Sequence, residues 1–138
     1  MSGMITRFER QVSGQGLFDI TRSVAEVMSK QGVTGDGLCT LFIRHTSASL
    51  LIQENYDPRV LDDLQTWMNK AVPQDPTLYT HDDEGPDDMP AHIRSALTAS
   101  SLGIPFIDGD LALGTWQAVY LWEHRENPGP RTILLHIT

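Results

Sequence analysis

Apolar positions recur at helical spacing in some stretches of the chain and alternate or run together in others, and the two periods predict different elements. Ile5 to Val12 reads as an opening strand. Thr21 to Gln31 reads as an amphipathic helix: Ile20, Val24, Val27 and Met28 share one face, and Gly32 supplies the stop. Leu38 to His45 is apolar on both parities and predicts a buried strand, with Ser49 to Glu54 as the next. Asp57-Pro58 is a helix start, with Leu61, Leu64 and Met68 as the inner stripe. Asp88-Met89-Pro90 repeats that signal, with Asp88 expected as the cap and Met89, Ile93 and Leu97 facing inward. Ile104 to Ile107, Thr115 to Glu123 and Arg131 to Ile137 read as strands, the last two parted by Asn127-Pro128-Gly129-Pro130.

Strands dominate and do not alternate regularly with helices, so a doubly wound parallel sheet is not expected. The order predicts an α+β fold, a mainly antiparallel, β-sandwich-like single domain over residues 1–138 with about three helices. A chain of 138 residues is long enough to bury a core without staples.

Charge narrows the partners. Ten lysines and arginines stand against 18 acidic residues, a net charge of -8, so no basic nucleic-acid footprint is present. A phosphorylated small substrate stays possible if local arginines, a helix N-terminus or a metal ion receive it. The single cysteine, Cys39, excludes an intrachain disulfide and sits in an apolar run. No apolar segment is long enough for a membrane-spanning helix, and the first residues lack a signal-peptide core, so a cytoplasmic protein without a membrane partner is expected.

Three histidines stand where chemistry is plausible. His45 ends the Leu38 strand and is followed by the hydroxyls of Thr46 and Ser47; His81 opens the acidic run to Asp88; His92 lies in the first turn of the following helix. Three neutral imidazoles with an open position would suit a divalent transition metal such as zinc. Each is also readable as an ordinary hydrogen-bonding histidine, the usual role of a lone histidine at a strand end, since no HExxH-type pattern is present. The acidic loop does not follow the EF-hand order; it reads as a solvated surface or as a recruiter of magnesium. Glu54 shares parity with Leu50 and Ile52, which makes it a possible buried acid–base carboxylate or a salt-bridge partner of Arg44 or Arg125. No Walker A, dinucleotide-binding glycine motif, CxxC or GxSxG elbow occurs, and no organic cofactor is called for.

Several ordered motifs carry a resemblance. They are His45-Thr46-Ser47-Ala48-Ser49-Leu50, Gln53-Glu54-Asn55, the run Gly85 to His92, Leu113-Gly114-Thr115-Trp116-Gln117, and Glu123 with Arg125. Together they resemble the YjbQ-like family over nearly the whole chain. The resemblance implies a β-sandwich-like α+β fold, a homotrimer with sites near subunit boundaries, and a secondary thiamine-phosphate synthase activity. That transferase joins a pyrimidine diphosphate to a thiazole phosphate and releases pyrophosphate. The family's polar residues fall on His45, Glu54, Asn55, His81, Asp88, His92, Gln117 and Arg125. Gln53 and Asp88 depart from the commoner Asn at both positions.

The resulting expectation is a transferase with His45, Glu54, His81, His92 and Arg125 as catalytic groups. Thr46, Ser47, Asn55, Asp88 and Gln117 would bind substrate. Magnesium would serve the diphosphate, or zinc would sit at His45, His81 and His92. A metal-dependent hydrolase of a small ester or phosphoester, and a non-catalytic ligand-binding trimer, are the alternatives.

Overall fold

The computed structural model describes residues 4–138. Its strands are β1 (Met4–Arg10), β2 (Gly16–Asp19), β3 (Gly37–Ile43), β4 (Ala48–Glu54), β5 (Ser101–Ile107), β6 (Asp110–Leu111), β7 (Gln117–Glu123) and β8 (Arg131–Ile137). The helices are α1 (Thr21–Lys30), α2 (Pro58–Ala71) and α3 (Asp88–Leu97), with a short 3-10 turn at Pro76–Leu78. One sheet has the order β1-β8-β3-β5-β6 and the other β2-β7-β4, and every pairing between strands is antiparallel. This is the α+β, two-sheet arrangement the pattern predicts. Among the described residues, no helix is long and apolar enough to cross a membrane.

The core lies between the sheets. Cys39, Leu41 and Ile43 of β3, Ile133 and Leu135 of β8 and Ile104 of β5 meet Leu50, Val119 and Leu121 of the smaller sheet; Ile20, Val24 and Met28 bring α1 onto the same cluster. Strand β7 is buried on both faces, because Trp122 on its other side packs with Met68 and Val72 of α2 and its end, and Ile93 of α3 joins them. A strand covered twice reads as a continuous apolar run, which is the pattern of residues 118 to 122.

Several expectations are corrected. Strand β3 is buried on one face only: Leu38 and Phe42 are 40% and 44% exposed, since no element among the described residues covers them on the outer face of the larger sheet. The opening strand ends at Arg10 rather than Val12, and a separate strand, Gly16–Asp19, adds to β7 where the pattern predicts no element. Its short length and two positive-φ glycines, Gly14 and Gly16, hide it from a pattern search. Leu97, the last residue of α3, faces solvent rather than the core. Asp57 does cap α2, accepting from the Arg59 amide.

Candidate metal centre at the end of the sandwich

Two chain segments pass from one sheet to the other at the same end of the sandwich. Residues 44–47 lead from β3 to β4, and residues 124–130 lead from β7 to β8. The pairing of Ala48 with Glu123 and the bond from the His124 amide to the Ser47 carbonyl hold these corners side by side. Glu123 is fully buried there, and its carboxylate takes Nε and Nη2 of Arg131 at 2.5 Å each, plus the amides of His124 and Arg125 at 3.0 Å. Charge-assisted bonds of this kind offset the cost of burying the pair.

Arg125 ties this end to the acidic loop. Its Nε donates to Asp87 at 2.9 Å, Nη1 to Asp88 Oδ1 at 2.7 Å, and Nη2 to the Glu84 carbonyl at 2.9 Å. The hydrogen bond to Asp87 is the main reason its pKa is raised. Asp88 is the first residue of α3 and is buried, but the expected capping role is not seen: the cap position is Asp87, without a side-chain cap bond. The stronger bonds to Arg125 and His81 capture the Asp88 carboxylate instead.

His81 Nε2 lies 2.9 Å from Asp88 Oδ2, and His92 Nε2 lies 3.3 Å from the same oxygen. Positions 88 and 92 are one helical turn apart, so α3 presents both on one face. Glu84 Oε2 approaches His81 Nε2 at 3.7 Å. One ligand atom from each of His81, Glu84, Asp88 and His92 falls within 4.8 Å of all the others. The hydrogen bond to Asp88 raises the His81 pKa against a smaller effect of burial. Burial pushes the Asp88 carboxyl up, yet its contacts with Glu84 and His81 and the charges of His92 and Arg125 outweigh this and hold it below the usual carboxylate range. Beside His81 a cavity of about 230 Å³ opens, lined by Tyr79, Asp82, Pro86 and Met89 among others.

The predicted site residues therefore fall into three groups. His81, Asp88 and His92 come together, braced by Arg125. His45, Thr46 and Ser47 occupy the adjoining corner, and His45 is not brought to the other two histidines: its Nε2 accepts from the Thr132 amide at 2.8 Å, and its Nδ1 faces Arg131 Nη1 at 3.2 Å. Glu54, Asn55 and Gln117 lie at the opposite end of β4 and β7, a strand length away, roughly 20 Å. There Glu54 accepts from the Asp57 amide and Gln117 from the Gly114 amide. Glu84 and Arg131 were not singled out by sequence reasoning; Asp87 was considered only with Asp88 for magnesium, and Glu123 only as part of a motif. The His81–Glu84 and Asp88–His92 spacings, three and four residues, are a signal that could have found Glu84; the pairing of Glu123 with Arg131 needed the tertiary structure.

Fold and site together define a small two-sheet α+β domain with a histidine–carboxylate cluster where its sheet-to-sheet corners meet. The family described as UPF0047 protein YjbQ-like matches residues 6–138, and the chain belongs to that family. Among its relatives, the UPF0047 protein sll1880 of Synechocystis is 52% identical over 125 residues, 91% of this chain and 84% of that one. The UPF0047 protein YjbQ of Salmonella typhimurium is 44% identical over 87% of this chain and 86% of its own. A solved structure of a conserved hypothetical protein from Thermus thermophilus superposes with a TM-score of 0.85 at 32% identity, covering 96% of this chain and 99% of that one.

Proposed function

We propose that the chain is a cytoplasmic enzyme that uses a divalent transition metal, held by His81, Asp88 and His92 with Glu84 at the edge, to hydrolyse a small phosphorylated ester. One observation carries this reading. His92 Nδ1 lies 3.1 Å from the Thr46 carbonyl, which only accepts, so the ring proton of a neutral His92 sits on Nδ1. Its bare Nε2 then faces the Asp88 carboxylate at 3.3 Å. Two acceptors at that distance call for a cation between them, either a second proton or a metal ion. A carbonyl that fixes the tautomer of a histidine is also the usual outer support of a metal ligand. Imidazole nitrogens beside carboxylates suit zinc, manganese or iron better than magnesium.

A bound ion would lower the pKa of water and polarise a phosphoryl or carbonyl oxygen. The residues of the chain supply the rest. Arg125 fixes Asp88 through Oδ1 and leaves Oδ2 directed at the two imidazoles. Glu84, whose side chain is 62% exposed, is the carboxylate available to take a proton. Tyr79, Pro86 and Met89 give the cavity an apolar wall.

The pyrophosphate-releasing transferase implied by the family resemblance is the second reading. Asp82, which lines the same cavity, favours it, because a diphosphate arrives with magnesium that seeks oxygen ligands. Against it, the three guanidinium nitrogens of Arg125 are all engaged by Asp87, Asp88 and Glu84. A homotrimer is part of the proposal; the uncovered Leu38 and Phe42 and the 65% exposed Ile5 on the outer face of the larger sheet support it, and sedimentation equilibrium tests it.

Elemental analysis of protein purified in metal-free buffer decides the central claim. About one transition metal per chain in the wild type, lost in His92→Ala, is the expected result. No retained or restorable metal would sink it. Phosphate or alcohol release from a panel of small esters, beside pyrophosphate release from the pyrimidine diphosphate and thiazole phosphate pair, separates the two reactions.

A further inference from the structure

The adjoining corner has the opposite electrostatic demand. The Thr132 amide donates to His45 Nε2 at 2.8 Å, so that nitrogen is the acceptor and the proton of the neutral ring sits on Nδ1. Nδ1 faces Arg131 Nη1 at 3.2 Å, and a guanidinium nitrogen only donates. Protonating the ring does not relieve this, and burial, followed by the Arg131 charge, lowers the His45 pKa. Two N–H groups thus converge with no acceptor between them.

The surroundings repeat the pattern. Glu123 takes Nε and Nη2 of Arg131 and leaves Nη1 to the His45 side. Ser47 Oγ accepts from Arg131 Nη2 at 2.9 Å, so its own hydroxyl proton is free to turn outward. Arg44, His45, Thr46, Ser47 and Arg131 line an open cavity of about 540 Å³, within the size range of small-ligand sites. A smaller depression continues from Arg44 and His45 to Arg7 and Thr132. Three of the ten basic residues of a chain with net charge -8 are gathered here.

We infer that this corner, built by His45, Arg131, Ser47 and Arg44, is an anion subsite that takes a phosphate group. A phosphate oxygen set against His45 Nδ1 and Arg131 Nη1 accepts both protons; the Ser47 and Thr46 hydroxyls and the Arg44 guanidinium serve the remaining oxygens. The inference deepens the proposed reading and rests on it for the rest of the ligand: the Thr46 carbonyl that orients His92 is one residue from His45, so a phosphate held here leaves a neighbouring ester bond directed toward the histidine–carboxylate cluster. The subsite holds the phosphate that does not react.

Calorimetric titration of the chelator-treated full chain with inorganic phosphate, and with acetate for comparison, tests this without any metal. Saturable binding of one phosphate per chain is expected, with acetate weaker. Arg44→Gln and His45→Asn should each weaken it at least tenfold, while Arg22→Gln, an exposed arginine on α1, leaves it unchanged. Circular dichroism confirms that each variant is folded; the exposed Arg44 makes its variant the safer of the two. Absence of saturable binding, or equal weakening by Arg22→Gln, would overturn the inference. Metal content of untreated samples is read separately, so failure here leaves the metal reading standing, and failure there leaves the subsite standing.

Discussion

His124 offers a quantitative test of how this end of the sandwich is assembled. It is fully buried, its Nε2 is 2.9 Å from Ser49 Oγ, and its Nδ1 has no hydrogen-bond partner. Burial, with the charges of Arg94 and Arg131, pushes its pKa down from 6.5 to about 3. A depressed folded-state pKa means that the unfolded chain binds the extra proton first. The stability tied to a neutral His124 is therefore present above pH 6.5 and lost as the pH falls toward the folded value. At about 1.36 kcal/mol per pH unit, lowering the pH from 7.5 to 4.5 costs about 2.5 kcal/mol from this group. His45, also lowered, adds in the same direction, whereas His81, whose pKa is raised, opposes it. The clean measurement is a difference. Urea unfolding followed by circular dichroism at pH 7.5, 6.5, 5.5 and 4.5 compares the wild type with His124→Gln. The variant loses the Ser49 contact at every pH, which is a constant offset, but its stability should fall by about 2.5 kcal/mol less across the range. Parallel curves for the two proteins would refute a buried neutral histidine.

Other perturbations probe neighbouring parts. Glu123→Gln leaves the Arg131 guanidinium buried without its counter-charge and should destabilise the fold by roughly 3–5 kcal/mol in urea unfolding; a loss below about 1 kcal/mol would show that the pair contributes little. Arg125→Ala frees the loop carrying Glu84 and Asp87 and removes the support of Asp88, so metal affinity measured by competition with a chelating dye should drop about 10–100-fold, with secondary structure kept. Gly37→Ala would place a Cβ against the Thr138 carbonyl and 2.6 Å from the Phe106 ring, and thermal unfolding should show a loss of about 1–3 kcal/mol. An unchanged melting temperature would mean that this edge of β3 gives way easily.

Much of the architecture can be read from local pattern because local rules produced it. Asp57-Pro58 starts α2 by satisfying orphan amides within its own first turn, and Gly32, at φ +70°, ends α1 where other residues would be strained. The apolar, β-branched and aromatic run from Ala118 to Trp122 declares a strand, although that it is covered on both sides came from the structure. The four-residue spacing of Asp88 and His92 already places them on one face of a helix. What the pattern could not supply is partnership across the chain. Asp88 looks like a cap until Arg125, 37 positions away, claims its carboxylate. His45 resembles a third ligand until Thr132 and Arg131 engage its ring, and Glu54, Asn55 and Gln117 share motifs with the site yet sit at the far end of the same strands. The sequence by itself determined the elements and the kinds of chemistry available, since periodicity, capping and composition act over a few residues. Only the tertiary structure decided which groups meet, because two sheet-to-sheet corners, far apart in the chain, converge and set acceptors against acceptors at one point and donors against donors at the next.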